Sequence, residues 1–118
     1  EVNAEDLTSS KVDERFLQKA IELVEKNLDN SDYSVEAFSD DMCMSRMNLY
    51  RKLQIITGQK PTEFIRSIRL KKAAGLLTHT ELTVIEISEK VGFATPSYFS
   101  KCFKDMFGVL PTQYHSQD

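Results

Sequence analysis

Five side chains between residues 46 and 54 lie on one side of a predicted helix and have the chemistry to contact a nucleic acid. They are Arg46, Met47, Tyr50, Arg51 and Gln54. An arginine can bond O6 and N7 of guanine together, an apolar or aromatic group can touch a thymine methyl, and glutamine can reach a base edge or a phosphate. We expect Arg51 to read a base and Arg46 to read a base or hold a phosphate. The alternative for each is an ordinary solvated helix face.

A second set of polar side chains follows about fifty residues later: Pro96, Ser97, Ser100, Lys101 and Lys104. Lys101 stands at the position of Arg51, the two serines are short, and Lys104 is placed to meet a phosphate. Phosphate contacts position a protein without reading sequence. We therefore expect this second helix to discriminate less between sequences and mainly to position the domain.

The two sets belong to an internal repeat. Residues pair at an offset of fifty from Leu49 onward, and at an offset of forty-nine upstream of Met42. The pairs include Ser34/Thr83, Ser39/Ser88, Leu49/Phe99, Leu53/Phe103, Gly58/Gly108 and Pro61/Pro111. A slip of one residue between Met42 and Leu49 predicts a turn there. Two helix-turn-helix copies in one small chain indicate two similar surfaces for one repetitive partner, and duplex DNA fits that description.

The elements that must position these residues are all helical. Helical spacing of apolar residues, with capping and proline signals, predicts about seven helices. They begin near residues 13, 34, 45, 60, 83, 96 and 111. In the sixth, Phe99, Phe103 and Met106 are expected to face inward, and the last short helix should bury Tyr114. The predicted division is a linker or disordered N-terminus at 1–12, helix-turn-helix subdomains at 13–60 and 79–118 resembling the three-helix units of homeodomains, and a long linker helix at 61–78.

Charge is unevenly distributed along the 118 residues, whose net charge is −3. Residues 1–44 hold four basic and twelve acidic side chains, residues 45–72 hold eight basic and one acidic, and residues 73–118 hold three and five. Because salt screens charges beyond about 8–10 Å, the local block of +7 matters more than the total. The acidic first third leaves a second hypothesis open, a protein-interaction module of the same fold.

Other functional classes find no support in the sequence. The two cysteines, Cys43 and Cys102, and the two histidines form no metal-ligand spacing, and no phosphate-binding loop or nucleophile motif is present. We therefore predict no catalytic residues, no metal and no cofactor. Residues 60–77 could be a membrane-binding helix, but their apolar side chains are explained as core. No stretch reaches membrane-spanning length, and we expect a cytoplasmic domain that does not contact the membrane.

Three motifs resemble the C-terminal DNA-binding domain of the AraC/XylS family of bacterial transcription regulators. They lie at residues 45–53 with Gly58, at 69–77, and at 87–93 continuing through 98–104 to Gly108 and Pro111. The resemblance implies two helix-turn-helix units joined by a long helix. It also implies that the groove is faced by Met47, Tyr50, Arg51, Pro96, Ser97 and Lys101. Pro96 stands where the family has a long polar residue, and Leu53 where phenylalanine is common.

Residues 13–21 are similar to the junction that follows a receiver domain in two-component regulators. This implies the output end of a hybrid sensor histidine kinase and response regulator, with kinase activity encoded upstream and the whole protein anchored in the inner membrane. The partners would be double-stranded promoter DNA, RNA polymerase and the upstream receiver or sensor domain. The isolated domain should be a monomer.

Overall fold

A computed structural model of the chain describes the backbone of residues 4–114 and the side chains of residues 10–114. Within that range it contains six α-helices and a short 3-10 helix, which confirms the predicted all-α class and its approximate helix count. The α-helices are α1 (Ala4–Lys26), α2 (Val35–Asp41), α3 (Arg46–Thr57), α4 (Pro61–His79), α5 (Val84–Lys90) and α6 (Pro96–Phe107). The predicted last helix is the 3-10 turn Pro111–Gln113.

The prediction for the start of the first helix was wrong. Helix α1 begins at Ala4 and not at Asp13, so residues 4–12 of the predicted linker are helical. The reason is that this stretch contains no proline or glycine and includes the good helix formers alanine, leucine and glutamate. Residues 1–3 of that linker, and the last four residues of the predicted 79–118 subdomain, lie outside the described residues.

Equivalent caps in the two copies confirm the repeat. Ser34 Oγ accepts a hydrogen bond from Ala37 N at 3.1 Å, and Thr83 Oγ1 accepts one from Glu86 N at 3.1 Å. The starts of α3 and α6 are capped in the same way by Ser45 and Thr95. Both helices end at a glycine.

The predicted turn lies where the repeat slips by one residue. The turn of the first copy spans residues 42–45, and that of the second spans 91–95. Cys43 and Gly92 hold equivalent positions, and both have positive φ, at 58° and 81°. Ala94 is the additional residue of the second turn. Backbone hydrogen bonds before it match their counterparts in the first copy at an offset of 49 residues, and those after it match at an offset of 50 residues.

The core divides into two clusters of buried side chains. The first is formed by α1, α2, α3 and the start of α4, and includes Phe16, Val24, Phe38, Leu49, Leu53 and Phe64. The second is formed by the rest of α4 with α5 and α6, and includes Leu70, Ala73, Ile87, Val91, Phe99 and Phe103. Thus α4 supplies apolar residues to both clusters, one after the other along its length.

At the end of α6 and just after it, the structure differs from the prediction in two details. Met106 was predicted to face inward, but 39% of it is exposed. Phe107 takes the inward place, with its ring centroid 4.6 Å from that of Phe103. The next residue along a helix is rotated by about 100°, so only one of the two can face the core. Tyr114 is half-buried and packs edge-on against Phe103.

Helix α4 connects the two copies. Its 19 residues make a rod about 28 Å long. Pro61 occupies its first position, and Lys60 N donates a hydrogen bond to Glu63 Oε1 at 2.9 Å. In the part of the chain that the structure describes, neither α4 nor any other helix has the length and apolar character needed to span a membrane.

Candidate nucleic-acid interface

Helix α3 turns the five predicted contact residues outward. Leu49 and Leu53 are completely buried in the first core and thereby fix which side of α3 faces away from it. Met47 is 61% exposed and Tyr50 is 42% exposed. Arg46, Arg51 and Gln54 are exposed as well. Of these five, Gln54 has a local hydrogen bond, since its Nε2 donates to Gly58 O at 3.2 Å.

Helix α6 presents four of its five predicted residues fully. Pro96, Ser97, Lys101 and Lys104 are exposed, whereas Ser100 is half-buried. Phe99 and Phe103 are completely buried and orient α6 as Leu49 and Leu53 orient α3. Thr95 caps the helix, and Pro96 occupies the first helical position, where the lack of an N–H costs nothing.

The structure adds two exposed side chains that sequence reasoning missed. Ile55 is 83% exposed, one further turn along α3 from Met47 and Arg51. Tyr98 is 49% exposed on α6, and its ring lies 5.8 Å from that of Phe93. The signal for Ile55 was its spacing of four from Arg51, which places it on the same side of the helix.

Three grooves join the outward faces of α3 and α6. The largest, about 820 Å³, lies between α3 and the start of α4, and is lined by Arg46, Met47, Tyr50, Arg51, Lys60 and Thr62 among others. Thr62 also lines a second groove, of about 360 Å³, which reaches Tyr98. Tyr98 and Arg66 continue into a third, of about 410 Å³, that ends at Lys101 on α6. The grooves beside the two faces therefore adjoin one another along α4, through the lining residues that they share.

Most basic residues of the block 45–72 either have partners in the fold or line the grooves. Three of its eight basic residues have partners within the fold. Lys52 Nζ lies 4.9 Å from the centre of the Phe16 ring, Lys72 Nζ lies 3.7 Å from Glu25 Oε2, and Arg69 is buried. Four of the other five line the grooves: Arg46, Arg51, Lys60 and Arg66.

Positive charge is thus concentrated in the largest groove, beside α3, whose lining includes Arg46, Arg51 and Lys60. The third groove also contains two carboxylates, Glu63 of α4 and Asp105 of α6, together with Lys101 and Arg66. Such an arrangement attracts a polyanion, and attracts it more strongly at α3 than at α6. Within residues 10–114, no group of three or more His, Cys, Asp or Glu side chains is arranged to hold a metal ion.

Comparison with known proteins places this geometry among helix-turn-helix proteins. A family model described as a helix-turn-helix domain matches residues 38–117. "Histidine kinase P4" of Formosa agariphila is 41% identical over 116 residues, which is 98% of the chain but 8% of that relative's length. Among the transcription regulators it matches, the chain spans 26% of the length of GbdR and 39% of that of RhaR.

The solved structures that share the fold include the following two. The C-terminal domain of AraT, a response regulator from Geobacillus stearothermophilus, is 35% identical with a TM-score of 0.76, and the match covers 84% of this chain and 82% of that one. A transcriptional regulator from Chromobacterium violaceum, described as having an AraC-type DNA-binding domain, is 25% identical with a TM-score of 0.77, covering 85% and 88% of the two chains.

Proposed function

Because the chain belongs to the AraC-type family of helix-turn-helix domains, we propose that it binds double-stranded DNA in a sequence-specific manner and regulates transcription. Helices α3 and α6 would enter two successive major grooves on one face of the duplex, which recur about every 34 Å. The observation that carries this proposal is the run of three adjoining grooves along α4, which starts beside the outward residues of α3 and ends at Lys101 on α6.

The two helices would have unequal roles. On α3, Arg51 would read a guanine, Arg46 a base or phosphate, and Met47, Tyr50 and Ile55 would supply apolar contacts to thymine methyl groups or sugars. On α6, Lys101 and Lys104 would hold phosphates, and the short Ser97 and Ser100 beside Pro96 would add little discrimination. Gln54 would reach a phosphate or base edge once released from Gly58. The concentration of positive charge beside α3 supports this order.

The wider context is also part of the proposal. We propose that the chain is the cytoplasmic output domain of a two-component regulator, monomeric alone, whose upstream receiver or sensor domain brings two copies to a promoter where RNA polymerase is positioned. Kinase activity and an inner-membrane anchor would belong to the rest of the full-length protein. The relatives that are a histidine kinase and a response regulator support this context. The alternative of a protein-interaction module is not favoured by the family.

Binding can be tested with duplexes selected from a randomised pool, followed by fluorescence anisotropy over a series of salt concentrations. The logarithm of affinity should fall linearly with the logarithm of salt concentration, by about 0.9 per phosphate contact. Arg51→Ala should cost about 1–3 kcal/mol of discrimination at one base pair. Lys104→Ala should weaken all sequences alike.

Lys71→Ala is the matched control, because Lys71 is an exposed cation on α4 that lines none of the three grooves. Its affinity should stay within about twofold of wild type. An affinity that ignores salt would contradict the proposed function. A change of base preference in Lys104→Ala would contradict the division of roles between Arg51 and Lys104.

A further inference from the structure

Arg69 is a buried arginine whose hydrogen-bond partners come from both copies of the repeat. It lies on α4 and is 5% exposed. Its Nη1 donates to Leu28 O at 3.0 Å and to Val91 O at 2.9 Å, and its Nη2 donates to Asn30 O at 2.9 Å. Leu28 and Asn30 belong to the loop between α1 and α2, and Val91 is the C-cap residue that follows α5. One guanidinium therefore ties a loop of the first copy to the turn of the second.

This polar contact lies at the junction of the two apolar cores. Phe64 and Ile65 precede Arg69 on α4 and belong to the first core, whereas Leu70 and Ala73 follow it and belong to the second. Burial lowers the pKa of Arg69, and the nearby Asp29 opposes that shift, but a guanidinium stays charged in proteins. The planar fork of arginine can satisfy three carbonyls in fixed directions, which the ammonium of lysine cannot reproduce.

Gly92 provides the space that the guanidinium occupies. A Cβ at this position would overlap Arg69 Nη1 and Leu28 O. The equivalent residue of the first copy is Cys43, which adopts the same left-handed conformation, with φ of 58°, and is exposed. The left-handed turn alone therefore does not require glycine in this fold. The requirement at Gly92 comes from the Arg69 guanidinium together with the Leu28 carbonyl that accepts its hydrogen bond.

We propose that Arg69, accommodated by Gly92, is a positioning residue that fixes the second helix-turn-helix copy against the first and so selects one spacing between the two DNA half-sites. This inference rests on the proposed function, because a spacing has meaning only if both α3 and α6 read DNA. Arg69 lies too deep to touch the DNA itself. It acts through the backbone of the turn before α6.

The test uses the 118-residue chain and the selected duplex, with one or two base pairs inserted or deleted between intact half-sites. Wild type should strongly prefer the original spacing. Arg69→Lys and Gly92→Ala should reduce that preference by about tenfold, while base preference within each half-site changes by less than about twofold. Cys43→Ala is the matched control for Gly92→Ala, because it places alanine in the equivalent turn without a guanidinium behind it, and it should keep the wild-type preference.

Residual dipolar couplings of the free protein provide a second readout that does not need DNA. The couplings of the wild-type protein should fit one alignment tensor for both copies, whereas those of Arg69→Lys should need a separate tensor for each copy. If Arg69→Lys and Gly92→Ala retain both the spacing preference and a single tensor, the proposal is wrong. A wild-type chain that binds no duplex specifically would instead contradict the proposed function, and the tensors would still decide whether Arg69 fixes the orientation.

Discussion

Helices α3 and α6 hold equivalent places in the two copies, yet their outward faces differ. Helix α3 exposes arginine, methionine, tyrosine and isoleucine side chains, whereas α6 exposes proline, serine and lysine at its predicted contact positions. The buried sides correspond closely, since Leu49 and Leu53 align with Phe99 and Phe103, and all four are completely buried. The repeat therefore preserves the scaffold and its caps, while the exposed faces proposed to contact DNA differ.

The interiors of the two copies also differ, in the kind of packing. The second core contains a chain of aromatic contacts in which the Phe103 ring lies 5.8 Å from Phe99, 4.6 Å from Phe107 and 5.3 Å from Tyr114. In the first core, Phe38 stacks on Phe64 at 6.0 Å around aliphatic residues. Tyr33 OH donates to Asp41 Oδ2 at 2.9 Å, and burial together with this bond raises the pKa of Tyr33. The second copy thus has the longer chain of aromatic contacts.

The largest effect is expected from truncating that core. Phe103→Ala should lower the free energy of unfolding by about 3–5 kcal/mol, and Leu53→Ala, at the equivalent position, by about 2–5 kcal/mol. Because the cores are separate clusters, Phe103→Ala should accelerate amide hydrogen exchange in α5 and α6 more than in α2 and α3. Leu53→Ala should do the reverse.

Urea denaturation provides the free energies, and exchange followed by NMR provides the local protection. Equal acceleration throughout the chain by either variant would contradict the comparison, because it would mean that the two copies open as one unit. A loss below about 1 kcal/mol for Phe103→Ala would contradict the energetic importance of the aromatic chain.

Much of this scaffold could be predicted from the sequence because the signals that set it are local. Ser34, Ser45 and Thr83 cap helices where their position before an apolar periodic run predicts them. The predicted start of α1 differs from the observed one because Asp13 has the side chain of a good N-cap. No proline or glycine in residues 4–12 ends the helix before Asp13, so it continues upstream to Ala4. Met106 was placed inward because Phe107 beside it competes for the same inward position.

The contact surface could be predicted only in part. The outward face of α3 follows from the buried seam, but Ile55 was not considered since an isoleucine is usually assigned to a core. In the sequence, Arg69 belongs to the basic block of residues 45–72, which suggests a role in attracting DNA. Its actual partners are backbone carbonyls of residues 28, 30 and 91, which lie far apart in sequence. Backbone carbonyls carry no sequence signature, so this contact required the three-dimensional structure.

A smaller effect is expected from removing the equivalent caps. Ser34→Ala and Thr83→Ala should each lower the free energy of unfolding by about 1 kcal/mol, because each removes one side-chain acceptor from a helix N-terminus. Thermal denaturation of both variants beside wild type measures the difference. Values that agree would support equivalent backbones in the two copies, and a loss in only one of them would contradict that equivalence.

The smallest expected effect is a pH-dependent contribution to stability that only one of the two caps makes. Thr83 N donates to Glu86 Oε1 at 2.9 Å, a reciprocal bond that the first copy lacks because Ala37 stands at the position of Glu86. Hydrogen bonds from the backbone and side chain of Thr83 lower the pKa of Glu86 below its ordinary value of 4.5. A carboxyl group whose pKa is lower in the folded than in the unfolded state stabilises the fold at pH values above its unfolded-state pKa. This stabilisation disappears as the pH falls through the folded-state pKa.

Glu86→Gln should therefore be less stable than wild type near neutral pH, and the difference should shrink as the pH falls below 4.5. Urea denaturation of both proteins over a pH series measures this convergence. Ala37→Glu would place the same carboxylate at the first copy's cap, and it should gain an acid-sensitive increment in the same direction. If Glu86→Gln differs from wild type by a constant amount at every pH, the carboxylate charge does not stabilise the start of α5, and the two caps are equivalent in chemistry as well as in position.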